Sequence, residues 1–324
     1  MNILISGGAG YIGSVTANLF IDKGHNVTII DNLIRGDKRN IPKKAKFVKT
    51  NFSNKKNISD LLKKNKFDIL LHFAAYIDVE ESVKYPKKYI KNNYLNATKF
   101  FEICSKYGLN NFILSSTAAV YGNSDKAFCS EKTLLKPQSP YAYSKLKCED
   151  FLKKRSKFKY VILRYFNVAG ADLKLRNGLI SKNKSTHLIK KICENYLKNK
   201  PITIYGTNYP TKDGTAERDY IHVADLAYAH YQSSLYLLKK KKSVILNCGY
   251  GKSFSVLEIV KKFNLINKNK IKFNFGNRRK GDVIKLVASS SKIKKVLKWK
   301  PRHKSINKIL ISSLNWEKKL CKLI

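Results

Sequence analysis

Tyr141 and Lys145 lie four residues apart in the stretch SPYAYSKLKCE, a spacing that puts both side chains on one face of a helix. A phenol beside an ammonium can act as a base. Free tyrosine titrates near pH ~10, and each unit by which a neighbouring cation lowers that value favours the phenolate by about 1.4 kcal/mol. The helix is predicted locally, with Ser139 as cap, Pro140 at the first helical position, and Leu146, Phe151 and Leu152 as an apolar face. Thr117, closing the apolar run NNFILSST, supplies a hydroxyl that can converge on the same site. A tyrosine and a lysine at this spacing are more often plain surface residues, so the elements around them decide the reading.

Ile3, Leu4 and Ile5 predict a short buried strand running into GGAGYIG, and the periodicity of SVTANLFIDKG predicts a helix after it. Gly7, Gly10 and Gly13 fit G-x-x-G-x-x-G, while Gly8, Gly10 and Gly13 fit G-x-G-x-x-G. Glycines there allow a tight turn, close backbone approach to a pyrophosphate and helix-on-strand packing, and the helix N-terminus offers free N–H groups to the anion. The next predicted strand, from Asn26 to Ile30, ends in Asp31, 18 residues past Gly13, where a carboxylate can hold an adenosine ribose diol. It would repel a 2′-phosphate, so the cofactor is read as NAD and not NADP. A tight turn followed by a capping aspartate is the plainer alternative.

VKTNF, FDILLHFAA, a helix over KNNYLNATKFFEICSKYG ending at Gly108, and NNFILSST continue the alternation of strand and helix. This predicts an α/β protein with a Rossmann-type doubly wound parallel sheet. Ligands in such sheets sit beyond the carboxyl ends of the strands, where the sequence places Asp31, Phe73 to Ala75 and Ser115 to Thr117. At about residue 168 the rhythm breaks. The expected organisation is a dinucleotide-binding domain over 1–167 and a smaller α/β substrate domain over 168–324, with roughly 216–235 packing back onto the first. PITIYG, the DGT loop, VILNCGYG and IKFNFG are assigned to the second part, over the cleft.

GGAGYIG, HFAA, SSTAAVYG, the Tyr141/Lys145 pair, LRYFNVAGA, YPTKDGTAERDYIHVADLA and RRKGD together resemble the extended short-chain dehydrogenases/reductases, and within them the UDP-glucose 4-epimerase (UDP-galactose 4-epimerase) family. The resemblance runs from Ile3 to about Trp299, and DGT followed by RDYIHV is its most specific part. It implies an isomerase that inverts C4 of a UDP-hexose through a transient 4-keto sugar. By that resemblance Tyr141 is the base, Lys145 its electrostatic partner and a ligand of the nicotinamide ribose, and Thr117 the hydroxyl bridging tyrosine and sugar. It further implies NAD contacts from Gly7, Gly8, Gly10, Tyr11, Ile12, Gly13, Asp31, Asn32, Asn51, Phe52, Phe73, Ala74, Asn93, Ser115 and Tyr165. Asn167 is expected on the sugar-phosphate side, Arg218 and Arg279 on the UDP phosphates, Asp282 on the uridine ribose and Leu286 at the wall of the hexose pocket.

Departures from the family pattern also carry information. Ala118 and Ala119 stand where related 4,6-dehydratases and decarboxylases carry an acid, which argues against those reactions. Ile77 replaces a cofactor-contacting lysine of some members. Asn51 replaces an acid that meets the adenine amine, its carbonyl being left to accept that bond. Other UDP-sugars (N-acetylhexosamines, pentoses or uronates) are the alternative substrates.

At 324 residues the chain can bury a large core. A formal net charge of +43 would ordinarily suggest nucleic acid or anionic membrane. Here the lysines are scattered through every segment with no aromatic-basic module, so neither a specific nucleic acid nor a membrane is expected as partner. A dinucleotide fold that binds polyanions without catalysis is the competing class. The six cysteines form no CxxC and no metal spacing, so reduced thiols in the cytoplasm and no metal are expected. Cys148 is read as packing, and His72, His187 and His222 as core or surface residues. There is no signal-like segment and no apolar run of ~18 residues. The resemblance favours a homodimer built on the KNNYLNATKFFEIC and Tyr141 helices.

Overall fold

The computed structural model describes residues 1–124, 128–182, 185–278 and 283–322. From the N-terminus the chain forms β1 (Asn2–Ser6), α1 (Tyr11–Asp22), β2 (Asn26–Asp31), β3 (Lys46–Lys49), α2 (Lys55–Lys64), β4 (Ile69–His72), α3 (Val79–Lys84), α4 (Pro86–Tyr89), α5 (Ala97–Lys106), β5 (Asn111–Thr117), α6 (Pro140–Lys153) and β6 (Lys159–Tyr165). It continues through β7 (Asn167–Ala169), α7 (Leu188–Leu197), β8 (Ile202–Tyr205), β9 (Glu217–His222), α8 (Val223–Lys240), β10 (Val244–Cys248) and β11 (Ser253–Ser255). The last elements are α9 (Val256–Leu265), β12 (Phe273–Gly276), β13 (Lys285–Leu286), α10 (Ser291–Leu297) and α11 (Ile306–Lys322).

Seven strands make one sheet in the order β10-β6-β5-β4-β1-β2-β3, and every neighbouring pair is parallel. The expected α/β doubly wound sheet is therefore present. Side-chain alternation along each strand divides its apolar residues between two layers. Ile3, Ile5, Ile29, Leu71, Ile113 and Leu163 meet Phe20 of α1 and Leu226 and Leu237 of α8. Leu4, Ile30, Leu70, Leu114 and Ile162 meet Phe100 and Phe101 of α5 and Cys148 and Leu152 of α6. Each fully buried side chain of this kind contributes about 1.5–3 kcal/mol, so both helical layers are held firmly on the strands whose ends carry the site.

VILNC, which the sequence rhythm assigns to the second part, is β10 and pairs with β6 in the first sheet. The physical reason is that α8 carries the chain back across that sheet, where β6 would otherwise leave an open row of backbone donors and acceptors. A second group of strands places β9 between β11 and β13, with β7 also paired to β9, and β8 pairs with β12. Its own core gathers Ile189 and Ile192 from α7, Ile202 and Ile204 from β8, Phe263 from α9 and Ile309 and Leu310 from α11.

The helix expected over KNNYLNATKFFEICSKYG is interrupted. Ile90–Asn96 adopts π-helical geometry before α5 begins, and the terminating Gly108 has φ +84°. The widened turn carries Asn93, which is buried. Such turns within α-helices recur at functional sites.

Candidate active site

Glycine is required in the first loop by contact as much as by torsion. A Cβ on Gly7 (φ +78°) would fall 2.6 Å from the Ala74 nitrogen, and one on Gly13 would fall 2.4 Å from the Gly7 carbonyl oxygen. Gly8 packs against Ile29, and Gly10 is the N-cap of α1. That cap offers no side-chain acceptor and the first turn holds no acid, so the leading N–H groups of Tyr11, Ile12 and Gly13 face outward at the positive end of the helix dipole. Such an arrangement can cradle a pyrophosphate. The Ile12 side chain packs into the core beneath it.

Asp31 ends β2 with its carboxylate accepting from Ala9 N at 3.1 Å and Leu33 N at 2.8 Å. Burial pushes its carboxyl up, and those two backbone bonds pull it back. Its remaining lone pairs suit a diol and no phosphate. The adjoining turn is closed by Asn32, whose Oδ1 accepts from Ile34 N. Asn51 behaves differently from expectation, because its Oδ1 accepts from both the N–H and the hydroxyl of Ser53 at 3.0 Å. Both lone pairs are used, leaving none for an adenine amine in this conformation. Phe52 turns inward onto His72 and Phe100.

After β4, Phe73 N and Ala74 N both donate to the Ser6 carbonyl, and the Phe73 ring packs on His230 at 4.8 Å. The Asn93 amide is spent on this loop, exchanging bonds of 2.9 and 2.8 Å with the Tyr76 backbone and donating to Ser144 of α6 at 3.2 Å. It ties the cofactor loop to the helix of Tyr141. Tyr165 bonds His230 at 2.5 Å and also meets Ser115, while the Tyr11 hydroxyl donates to Gly170 O at 2.6 Å.

Thr117 and Tyr141 meet where β5 ends against the start of α6, and Lys145 follows one turn along the same helix. Ser139 caps that helix, accepting from Ala142 N at 3.2 Å, and Pro140 opens it. Thr117 hydrogen-bonds the Tyr141 phenol. The net direction of the phenol is opposite to the one expected beside a cation. Burial pushes Tyr141 up against the Thr117 bond, and burial pushes Lys145 down. Both groups lie in a water-poor end of the sheet, where desolvation penalises either charge.

Asn167 and Arg218 line one cavity of about 220 Å³, together with Thr203, Tyr205, Tyr220 and His187. Thr203, Tyr205 and Tyr220 escaped the sequence reading, since they lie on β8 and β9 and only the aromatics of PITIYG and RDYIH hinted at them, while His187, read as a core or surface residue, lines this cavity. Arg218 donates to the Glu217 carbonyl at 2.9 Å and is the register partner of Leu286. Leu286 is buried in a cluster with Ala118, Tyr121 and Phe166, between the cavity and the Thr117 turn. Arg279 and Asp282 lie outside the described residues. Among the described residues no group of three His, Cys, Asp or Glu is placed to hold a metal, and no helix is long and apolar enough to cross a membrane.

Known proteins share this fold. The UDP-glucose 4-epimerase of Azospirillum brasilense is 38% identical over 322 residues, 98% of this chain and 92% of the relative. A crystal structure of UDP-glucose 4-epimerase from Stenotrophomonas maltophila, with bound NAD and formylated UDP-arabinopyranose, superposes with a TM-score of 0.94 at 30% identity and covers 100% of both chains. The UDP-Glc/GlcNAc 4-epimerase of Campylobacter jejuni gives a TM-score of 0.85 at 40% identity, covering 98% of this chain and 99% of that one. The sequence pattern of the NAD dependent epimerase/dehydratase family matches residues 3–249, from β1 through the glycine cradle and the Tyr141 helix to the end of β10, and the chain belongs to that family.

Proposed function

We propose that this protein is an NAD-dependent UDP-hexose 4-epimerase that interconverts UDP-glucose and UDP-galactose. The observation that carries the reading is the bond between Thr117 at the end of β5 and Tyr141 on α6, with Lys145 one turn further along the same helix, in a chain alike to UDP-glucose 4-epimerases over 98% of its length. A dinucleotide-binding fold that only held polyanions would have no use for that trio.

The residues fit NAD: the α1 N-terminus takes the pyrophosphate, Asp31 the adenosine ribose, and Lys145 the nicotinamide ribose. When bound, NAD supplies a reversible two-electron acceptor beside C4 of the sugar. Tyr141 Oη takes the proton of the 4-hydroxyl as C4 is oxidised and returns it as C4 is reduced, with Thr117 bridging phenol and sugar. Lys145 and the Thr117 bond offset the cost of placing a phenolate in a buried site. The resulting ketone is flat at C4, so a sugar that swings about its diphosphate bonds is reduced on the opposite face. Inversion needs a tightly held UDP and a loosely held hexose. Arg218, with Arg279, anchors the diphosphate through charge-assisted bonds, Asp282 holds the uridine ribose, Asn167 orients the sugar-phosphate side, and Leu286 offers the hexose only an apolar wall. Because oxidation and reduction balance within one turnover, NAD is retained between cycles.

Leu286 favours a second reading of the same site. Leucine is smaller than tyrosine and brings no hydroxyl, so the wall leaves room for a C2 N-acetyl group, and the Campylobacter jejuni relative is a UDP-Glc/GlcNAc epimerase. The exposed Leu95 and Tyr143, near α5 and on α6, suit a homodimer built on those helices, and the free cysteines suit a reducing cytoplasm. Incubating the purified protein with a panel of UDP-sugars and separating the 4-epimers tests the proposal. Interconversion of UDP-glucose and UDP-galactose is expected, and conversion of none of the panel would refute it.

A further inference from the structure

Glu149 stands one helical turn beyond Lys145, so Tyr141, Lys145 and Glu149 form a row at i, i+4 and i+8 on α6. Its side chain is 0% exposed, and that of its partner Arg164 is 2% exposed. The Arg164 Nε donates to both carboxylate oxygens at 3.1 and 3.2 Å, and its second guanidinium nitrogen reaches Oε2 at 2.6 Å. Ser116 Oγ donates to Oε1 at 2.5 Å. On its far side Arg164 donates to the Tyr121 hydroxyl at 3.1 Å, which donates to Asn247 Oδ1 at 2.6 Å.

An ion pair removed from water gives up several kcal/mol of hydration per ion and is often no more stable than apolar residues of the same volume. Stability is therefore a poor account of this pair, and its location offers a better one. Ser116 directly precedes Thr117 and is the register partner of Arg164. Strand alternation turns Ser116 toward α6, so the carboxylate fixes α6 axially on the end of β5, where Tyr141 meets Thr117. Tyr121 belongs to the turn that follows Thr117, so the same network holds that turn from behind.

The charge matters as well as the bonds. Lys145 is buried, and desolvation works against its ammonium while Glu149 favours it; the neighbouring Cys148 thiol is pushed up to about 12 by burial and stays neutral. The other groups around Lys145 do not replace Glu149. His72 on β4 is driven neutral by burial and by Lys145 itself, burial works against the charge of a Tyr141 phenolate, and Arg164 on β6 directs its charge at Glu149.

We infer that Glu149, clamped by Arg164 and Ser116, is a positioning residue for the trio: it sets the register of α6 on β5 and supplies the negative charge that keeps Lys145 an ammonium. The inference rests on the epimerase reading of Tyr141 and Lys145. Two NAD-loaded variants test it, Glu149→Gln and the double variant Glu149→Gln/Arg164→Met. The double variant leaves no uncompensated buried charge and so remains informative where the single one fails to fold. For Glu149→Gln the Lys145 side-chain titration, followed by 15N NMR, and the alkaline limb of kcat against pH are both expected to move down by about one pH unit, and for the double variant, which removes a positive charge as well, to move in the same direction by less. A merely structural Glu149 would lower kcat evenly across pH and leave both where they are, which would overturn the inference. A wild-type protein that epimerises no UDP-sugar would refute the epimerase reading, while the Lys145 titration would still decide the role of Glu149.

Discussion

The Tyr141 hydroxyl is the one atom whose removal should stop turnover and change little else. Tyr141→Phe keeps the ring that packs at the start of α6 and loses only the oxygen bonded to Thr117. General acid-base groups contribute about 10²- to 10⁴-fold, so kcat falls by that much while dinucleotide content and melting temperature stay near wild type; an almost fully active variant would remove Tyr141 from the mechanism. Leu286→Tyr tests the hexose wall. Filling that space excludes by steric overlap and not by a lost methylene worth ~1–3 kcal/mol. The variant is expected to lose N-acetylhexosamine turnover selectively when both substrate pairs are assayed, and equal losses on both would return Leu286 to the core cluster of Tyr121 and Phe166. Tyr141 and Lys145 are legible in sequence because their relation is local, one turn of one helix. The direction in which Tyr141 is shifted is not, since it depends on burial against β5. Glu149 went unread because its partners Ser116 and Arg164 lie on two other elements.

At the scale of elements, the β1–loop–α1 unit is the part most fully written in local sequence, because each of its requirements is a glycine at a fixed offset. Gly13→Ala places a methyl group 2.4 Å from the Gly7 oxygen and 3.0 Å from the Gly8 Cα, and backbone has to yield. Overpacking of this kind costs about 1–3 kcal/mol, and here the distortion falls on the pyrophosphate cradle. The variant should purify with far less NAD than wild type, as measured by dinucleotide release on denaturation. Equal NAD content would place the pyrophosphate elsewhere, and release of NADP from wild type would overturn the reading of Asp31. Elements fixed by distant partners were harder to read. VILNC looks the same whether it covers the cleft or extends the first sheet, and only its pairing with β6 decides. The π-helical turn at Asn93 likewise answers to Tyr76 and Ser144, far away in sequence.

Across the whole molecule, five of six histidines, His25, His72, His187, His222 and His230, are held below their ordinary range, chiefly by burial, and His222 and His230 are lowered to about 4. The unfolded chain binds protons at these rings near pH ~6.5 and the folded one does not, so their stabilisation is present above ~6.5 and lost as pH falls toward the folded values. Asp31, Asp219 and Glu317 oppose this, because burial raises their folded carboxyls, Asp219 to about 6, and their stabilisation is lost as pH rises. The histidines are more numerous and begin to titrate first. Melting temperature should therefore fall between pH 7 and 5, and a rise over that interval would show the carboxyls prevailing. The net charge of +43 also attracts anions such as nucleotide sugars to the molecule as a whole, an attraction that salt screens. The central claim is that one bound NAD oxidises and re-reduces C4 of a UDP-hexose under the control of Tyr141. The most direct measurement supplies UDP-galactose deuterated at C4 to the purified protein with no added cofactor and follows the sugar by mass spectrometry and NMR. The account predicts UDP-glucose with the deuterium still at C4; failure to form the epimer, or its formation with the label lost to solvent, would contradict it.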